Sequence, residues 1–358
     1  MRDQKRRGEP VTECMIACRL GFLSRPLFAL ILMCLVASAS LGGFEQQGQP
    51  SDTSLGGGYG KNKANVARFK IGICDWMVLK RQKIGVFTLA RQLGADGVEV
   101  DMGPLGNRVT FDNRLTNELA CNAFLEAART NGVEICSIAM TAFYAVSFAE
   151  RTNYMDLVCE SIDTMKRLGV RVGFLPLGVA SDLQKRPELR PEVVNRLRRV
   201  GRMAEEAGVI IGIETTMPAR DEVAMLEEVG SPAVKIYFNL ANALKFNRDP
   251  CKEIRILGKD LICQIHCSNE DGELLENDPA VDLVQFKAAL DEIGWSGWLV
   301  IERSRDSRKP RDIQYNFGSN IKYLRSIFQP AISTLKSVGE ELSVWRNSCY
   351  TLEQYCLD

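Results

Sequence analysis

The stretch Leu261-Ile-Cys-Gln-Ile-His-Cys-Ser-Asn-Glu-Asp271 contains His266, the single histidine of a 358-residue chain. A mostly apolar run leads into it and a polar, turn-prone run follows. This is the pattern of a buried strand whose last side chain emerges where the strand becomes a loop. Two other apolar runs end in an acid in the same way, Val209-Ile-Ile-Gly-Ile-Glu214 and Trp298-Leu-Val-Ile-Glu302, and a fourth, Val234-Lys-Ile-Tyr-Phe-Asn239, ends in an amide. Laid side by side and parallel, the four strands bring two carboxylates, an imidazole and an amide oxygen to one place, a donor set suited to a metal ion.

Working outward, a strand–helix alternation starts at Arg68. Strands are expected at 69–74, 97–101, 133–139, 170–175, 209–214, 234–239, 261–266 and 298–302. Amphipathic stretches fall between them, at 116–131, 154–168, 191–207, 220–229, 280–293 and 313–328. Gly132, Gly169, Gly208 and Gly294 stand just before the next strand, where a helix turns back into a sheet. Eight such units over roughly 260 residues match a (β/α)8 TIM barrel. A doubly wound sheet is the alternative, but Cys74-Asp75-Trp76-Met77 is unlike its glycine-rich phosphate turn, and no Walker A sequence occurs.

The expected organisation is a single barrel domain at 68–328, preceded by a leader and a linker and followed by a C-terminal extension at 329–358. Residues 1–39 carry a basic start, the apolar run from Leu27 to Ala37, and Ala37-Ser38-Ala39, which together read as an export signal. A periplasmic location follows from that reading. An uncleaved anchor is the alternative and would be the only membrane contact. Residues 40–67, rich in Gly, Gln and Ser, read as a flexible linker. Of twelve cysteines, three fall in the leader. The remaining nine lack paired spacing, so neither a disulfide framework nor a zinc ribbon is expected. With 45 Lys and Arg against 45 Asp and Glu, the chain has no electrostatic footprint for nucleic acid.

In a TIM barrel the strand C-termini face the active site. The chain places Glu99, Asp101, Pro176, Glu214, Asn239, Asn242, His266, Ser268 and Glu302 there. The order Glu214, Asn239, His266, Glu302 over strands five to eight resembles the xylose isomerase-like sugar isomerase/epimerase superfamily. The strings Gly212-Ile-Glu-Thr-Thr216, Tyr237-Phe-Asn-Leu-Ala-Asn242, Gln264-Ile-His-Cys-Ser268 and Gly294-Trp-Ser-Gly-Trp-Leu-Val-Ile-Glu302 agree with it.

The resemblance spans 68–328 and implies a divalent metal at Glu214, Asn239, His266 and Glu302, with the two glutamates also acting as acid and base. Negative charge that builds on oxygen when a proton leaves the carbon beside a sugar carbonyl is stabilised by such an ion. Return of the proton through the resulting cis-enediolate gives an epimer or an isomer; loss of a hydroxyl makes the same site a dehydratase or lyase on an inosose or 3-keto-glycoside. Family members usually carry Asp where this chain has Asn239. That loss of a charge lowers the expected metal affinity, while the mixed O/N donor set suits Mn²⁺ or Co²⁺, with Mg²⁺ or Zn²⁺ as further candidates; the substitution also motivates a rival reading, a non-catalytic carbohydrate-binding barrel that has lost its metal. An endonuclease-like reading needs several histidines, which this chain lacks.

For substrate contacts, Asn242, Ser268 and Asp101 are expected to meet hydroxyls, and Trp76 and Phe143, with Tyr144, to wall a sugar ring. Only one of Glu99 and Asp101 is expected to point into the barrel, and Arg303 is read as structural or solvated. A free rather than phosphorylated sugar is expected, because sugar phosphates are mainly cytoplasmic and no glycine-rich phosphate loop follows strands seven or eight. Homo-oligomers are common among proteins of this appearance, which is analogy only.

Overall fold

The computed structural model describes residues 68–330. The expected leader and linker, and all of the C-terminal extension beyond residue 330, lie outside them. Eight parallel strands close into a barrel in the order β1 to β8. They are β1 Phe69–Cys74, β2 Gly97–Asp101, β3 Glu134–Ala139, β4 Val172–Pro176, β5 Ile210–Glu214, β6 Val234–Asn239, β7 Ile262–His266 and β8 Gly297–Ile301. The ring is sealed by β1 on β8, with Phe69 opposite Gly297 and Ile73 opposite Ile301. The expected (β/α)8 architecture is present, and the strand boundaries differ from the expected ones by no more than two residues.

The helices form the outer layer: α1 Gly85–Leu93, α2 Glu118–Asn131, α3 Tyr154–Leu168, α4 Arg190–Ala207, α5 Ala219–Val229, α6 Leu240–Lys245, α7 Pro250–Leu261, α8 Leu283–Glu292 and α9 Ile313–Phe328. In α3 the buried set Tyr154, Leu157, Val158, Ser161, Ile162, Met165 and Leu168 follows the three-and-four spacing of a single helical stripe. Gly132, Gly169, Gly208 and Gly294 all have φ between 64° and 70°, the left-handed conformation that glycine adopts without steric cost. Helices α1, α6 and α7 are additions to the sequence reading. Helix α7 is capped by Asp249, whose side chain accepts the Cys251 and Lys252 N–H groups, and it is interrupted at Gly258. Its tail takes Leu261, so β7 begins one residue later than the apolar run suggests.

The main core lies between strands and helices. Two small clusters, Cys74–Cys136–Val300 and Ala139–Phe174–Tyr237, are separate from it. They fill the barrel interior together with buried Glu99, Ser137, Gln264 and His266. Gly212 makes room for this layer: a Cβ there would lie 2.6 Å from Cys263 Sγ and 3.1 Å from Tyr237 Cβ. Cys74, Cys121, Cys136, Cys251, Cys263 and Cys267 are free thiols. Among the described residues, no helix is long and apolar enough to cross a membrane.

Candidate active site

His266, the last residue of β7, is completely buried, and both ring nitrogens face acids. Nδ1 lies 3.2 Å from Glu214 Oε2 and 3.7 Å from Glu302 Oε2, while Nε2 lies 2.9 Å from Glu99 Oε1. The rings of Phe174 and Tyr237 flank the imidazole, with centroids 4.8 and 4.5 Å away. Burial pulls the imidazole pKa down, but Glu99, Glu302 and Glu214 outweigh it and push the group up to about 10. In the absence of another cation His266 is therefore the positive centre of three carboxyl groups.

Glu99 is the residue that the sequence reading left without a role. Its Oε2 accepts hydrogen bonds from Ser137 Oγ and Tyr237 Oη, each at 2.6 Å. Gln264 Nε2 donates to both of those hydroxyls at 2.8 Å. Side chains from β2, β3, β6 and β7 thus fix the acid that fixes the histidine. Cys74 Sγ, 3.6 Å from Glu99 Oε1, completes a second convergence of metal-type donors with Glu99 and His266. Burial raises the thiol well above its usual range, which keeps it a hydrogen-bonding S–H group. Together with the direct Glu99–His266 contact, this marks a hydrogen-bonded layer.

Residues two apart on a strand share a face, which corrects the expectation for β2. Glu99 lies within the barrel, and Asp101 on the same face is met by loops above it. Asp101 pairs with Arg81 at 2.5 Å and accepts hydrogen bonds from the Thr141 N–H and Thr141 Oγ1. It braces the loops and does not line the cavity.

The cavity opens at the C-terminal ends of the strands, with an empty volume of ≈ 550 Å³ including its mouth. Glu214, Glu302, Tyr144, Asn239, Asn242 and Arg303 are among its walls. Tyr144 donates to Glu214 Oε1 at 3.2 Å. Its phenol is raised well above the usual range by burial and by the Glu214 charge, so it remains a donor. The Glu302 carboxyl is raised by burial; His266 opposes that shift and Glu214 adds to it.

Phe143, expected as a wall for sugar, is instead completely buried, edge-on to Phe111 and Phe148. The 3₁₀ turn Thr141–Tyr144 sends it into the core and its neighbour Tyr144 to the site. Trp76 packs over the inner clusters of the barrel and is absent from the cavity wall. Ser268 is buried, and its Oγ accepts the backbone N–H groups of Glu302 at 3.2 Å and Arg303 at 3.1 Å. It ties the end of β7 to the end of β8. Of the six expected substrate contacts, Asn242 and Tyr144 line the cavity.

Glu214 Oε2, His266 Nδ1 and Glu302 Oε2 belong to three groups whose donor atoms converge within 4.8 Å. Two carboxylate oxygens and one imidazole suit Mn²⁺, Co²⁺, Mg²⁺ or Zn²⁺. With all three facing carboxyls ionised and His266 neutral, as a ligand at Nδ1 must be, three negative charges remain, and a divalent cation would reduce them to one. Three donors therefore fit a metal. The fourth does not as it stands: Asn239 Oδ1 accepts the Ala241 N–H at 2.9 Å, capping α6, and its Nδ2 faces Glu214 Oε2 at 2.8 Å and Glu302 Oε2 at 3.4 Å. The expected amide oxygen is turned away from the site because the helix cap uses it.

A closed (β/α)8 barrel with an acid–histidine–acid cluster at the strand ends defines the class. Residues 87–327 match the xylose isomerase-like TIM barrel family, and the chain belongs to it. It is 24% identical over 182 residues to the 2-epi-5-epi-valiolone 7-phosphate 2-epimerase of Actinoplanes sp.. That alignment covers 51% of this chain and 65% of the relative, so the chain spans slightly less than two thirds of the curated relative's length. The fold is similar to D-psicose 3-epimerase of Clostridium cellulolyticum H10, solved with D-tagatose (TM-score 0.57, 17% identity, 72% of this chain and 99% of that one). It is also similar to the apo form of 3-keto-D-glucoside 4-epimerase of E. coli (TM-score 0.56, 15% identity, 72% and 99%).

Proposed function

We propose that the chain is a divalent-metal-dependent epimerase or isomerase of a free sugar or keto-sugar. The observation that carries this reading is the placement of Glu214 at the end of β5 and Glu302 just after β8, both lining one cavity and both facing His266 Nδ1. Two carboxyl groups beside one bound carbon can divide the work, one taking a proton and the other returning it. Tyr144 holds Glu214 in place through its hydroxyl. Asn242 donates Nδ2 to the Thr215 carbonyl at 3.1 Å, which leaves its own carbonyl oxygen for a sugar hydroxyl. Glu214, His266 and Glu302 would hold the metal. When bound, the ion would stabilise negative charge on the sugar oxygens. Residues 1–39 as an export signal belong to the same proposal and place the substrate outside the cytoplasm.

The test is proton exchange. The protein is supplied with Mn²⁺ or Co²⁺ and incubated with ketoses in deuterated water, and each sugar is followed by NMR. Deuterium at the carbon beside the carbonyl, lost in Glu214→Gln and in Glu302→Gln, supports the reading. One observation favours a second reading: the Asn239 amide bridges both glutamates in place of a ligand oxygen. It supports a carbohydrate-binding barrel without metal, for which no sugar would take up deuterium and no ion would bind.

A further inference from the structure

Three cationic side chains line the cavity: Lys185, Lys245 and Arg303. Lys185 pairs with Asp182 at 3.2 Å, and Lys245 pairs with Glu270 at 2.8 Å. The Arg303 guanidinium makes no hydrogen bond or ion pair among the described residues. Of the carboxylates whose charge it feels, Glu302 most strongly, the one outside the acid–histidine cluster is Asp271. That carboxylate is already held by Arg305, through Nε at 3.0 Å and Nη2 at 2.5 Å. The backbone on either side of Arg303 is nevertheless fixed. The Arg303 N–H donates to Ser268 Oγ. Ser304 sits at φ 64°, a left-handed conformation that is sterically unfavourable for a non-glycine residue. It is held there because its Oγ accepts the Asn269 N–H at 2.8 Å and its carbonyl accepts Asn320 Nδ2 at 2.7 Å. Backbone strain of this kind is retained where a side chain must be aimed.

We propose that Arg303 is a specificity-determining residue for an anionic substituent, a phosphate or a carboxylate, carried by the sugar. The inference rests on the reading of this cavity as a sugar site, and it replaces the neutral sugar expected from sequence with a charged one. A guanidinium offers two parallel N–H groups that match the oxygens of either anion. Arg303 lines the same cavity as Glu214 and Glu302, so an anionic group on a ketose bound there comes within its reach. Lys245 stands in an exposed ion pair, which is weak and readily exchanged, and can turn toward the same anion.

The experiment is calorimetric titration of the full chain, loaded with Mn²⁺, by three six-carbon ketoses: D-fructose, D-fructose 6-phosphate and D-fructuronate. It is repeated on Arg303→Gln and Arg303→Lys. Wild type is expected to bind one anionic ketose at least about tenfold more tightly than fructose, the scale of one charge-assisted bidentate contact. Whichever ketose shows the gap identifies phosphate or carboxylate. Arg303→Gln should erase the gap, and Arg303→Lys should keep part of it. Equal affinity for all three, an advantage that survives in Arg303→Gln, or binding of none of them overturns the proposal. Deuterium exchange on the same samples separates it from the reaction. Arg303-dependent binding without exchange leaves the anion site standing and removes the epimerase. Exchange into fructose that ignores both charge and Arg303 does the reverse.

Discussion

Glu99 Oε1 and His266 Nε2 meet at 2.9 Å inside the barrel, on the side of the imidazole opposite Glu214 and Glu302. A carboxylate behind a histidine fixes which nitrogen carries the proton and how the ring is turned, and so presents the other nitrogen as a ligand. Here it presents Nδ1. Glu99→Gln places an amide donor against the Ser137 and Tyr237 hydroxyls and ends that control. The expected result is a fall in Mn²⁺ affinity of about 10–100-fold, measured by paramagnetic resonance titration, with the circular dichroism spectrum unchanged. Undiminished affinity would show that the imidazole needs no partner.

Asparagine at 239 has one oxygen for two tasks. Aspartate has two, so one can cap α6 at Ala241 while the other faces Glu214 and Glu302. Asn239→Asp is therefore expected to act in opposite directions. With chelator present it removes the amide donor from both glutamates and adds a like charge, and the melting temperature should fall. With Mn²⁺ it supplies a fourth ligand, and affinity should rise by about tenfold or more, consistent with one added charged ligand. Melting curves with and without metal read both effects. Equal shifts in the two conditions would rule out the division of labour at residue 239.

Metal binding at Nδ1 must displace a proton. Since His266 is pushed up to about 10, it binds a proton throughout the neutral range, and apparent metal affinity should climb by about tenfold per pH unit from pH 6 to 9. The metal-free protein should show the reverse trend in stability. A basic group raised in the folded state contributes stability that is complete below its unfolded value near 6.5 and is lost as pH rises through about 10. Mn²⁺ isotherms at three pH values, with chelator-treated controls, test both. A pH-independent isotherm would mean that Nδ1 is not a ligand.

Glu222 offers a test of the scaffold alone. This residue of α5 is buried and accepts a hydrogen bond from Thr215 Oγ1 at 2.7 Å. Burial pushes its carboxyl up to about 8, partly opposed by the Thr215 hydrogen bond. The folded protein therefore prefers it protonated. Its contribution to stability is complete below the unfolded value near 4.3 and is lost as pH rises through about 8. In Glu222→Gln the decline in stability between pH 5 and 8 should be shallower than in wild type, as followed by urea denaturation. Parallel curves would contradict a buried titrating group.

The barrel was legible because each strand is an apolar run with a chain reversal at its end, and such runs keep their identity in any context. Glu214, His266 and Glu302 were legible for a related reason, as polar residues closing apolar runs. Glu99 was not: it sits within β2, and only the closed ring shows that His266 from β7 reaches it. Phe143 and Tyr144 are adjacent aromatics of equal promise, and the pitch of one 3₁₀ turn decides which is core and which reaches Glu214. Arg303 resembles any solvated arginine until Asp271 is seen to belong to Arg305. The orientation of Asn239 depends on α6 starting at Leu240, a six-residue helix too short to leave a periodic signature.

The seal between β1 and β8 has a kinetic consequence. Phe69 and Gly297 pair from opposite ends of the described chain, and contacts so distant in sequence form late because a long loop must close first. Until β8 arrives, β1 has an unpaired edge, and Glu302 has no place beside His266. An incomplete ring would carry Glu99, Glu214 and His266 without the acid that faces them across the cavity. Appearance of the site during refolding should therefore coincide with the last strand pairing, so that function reports the final step of assembly.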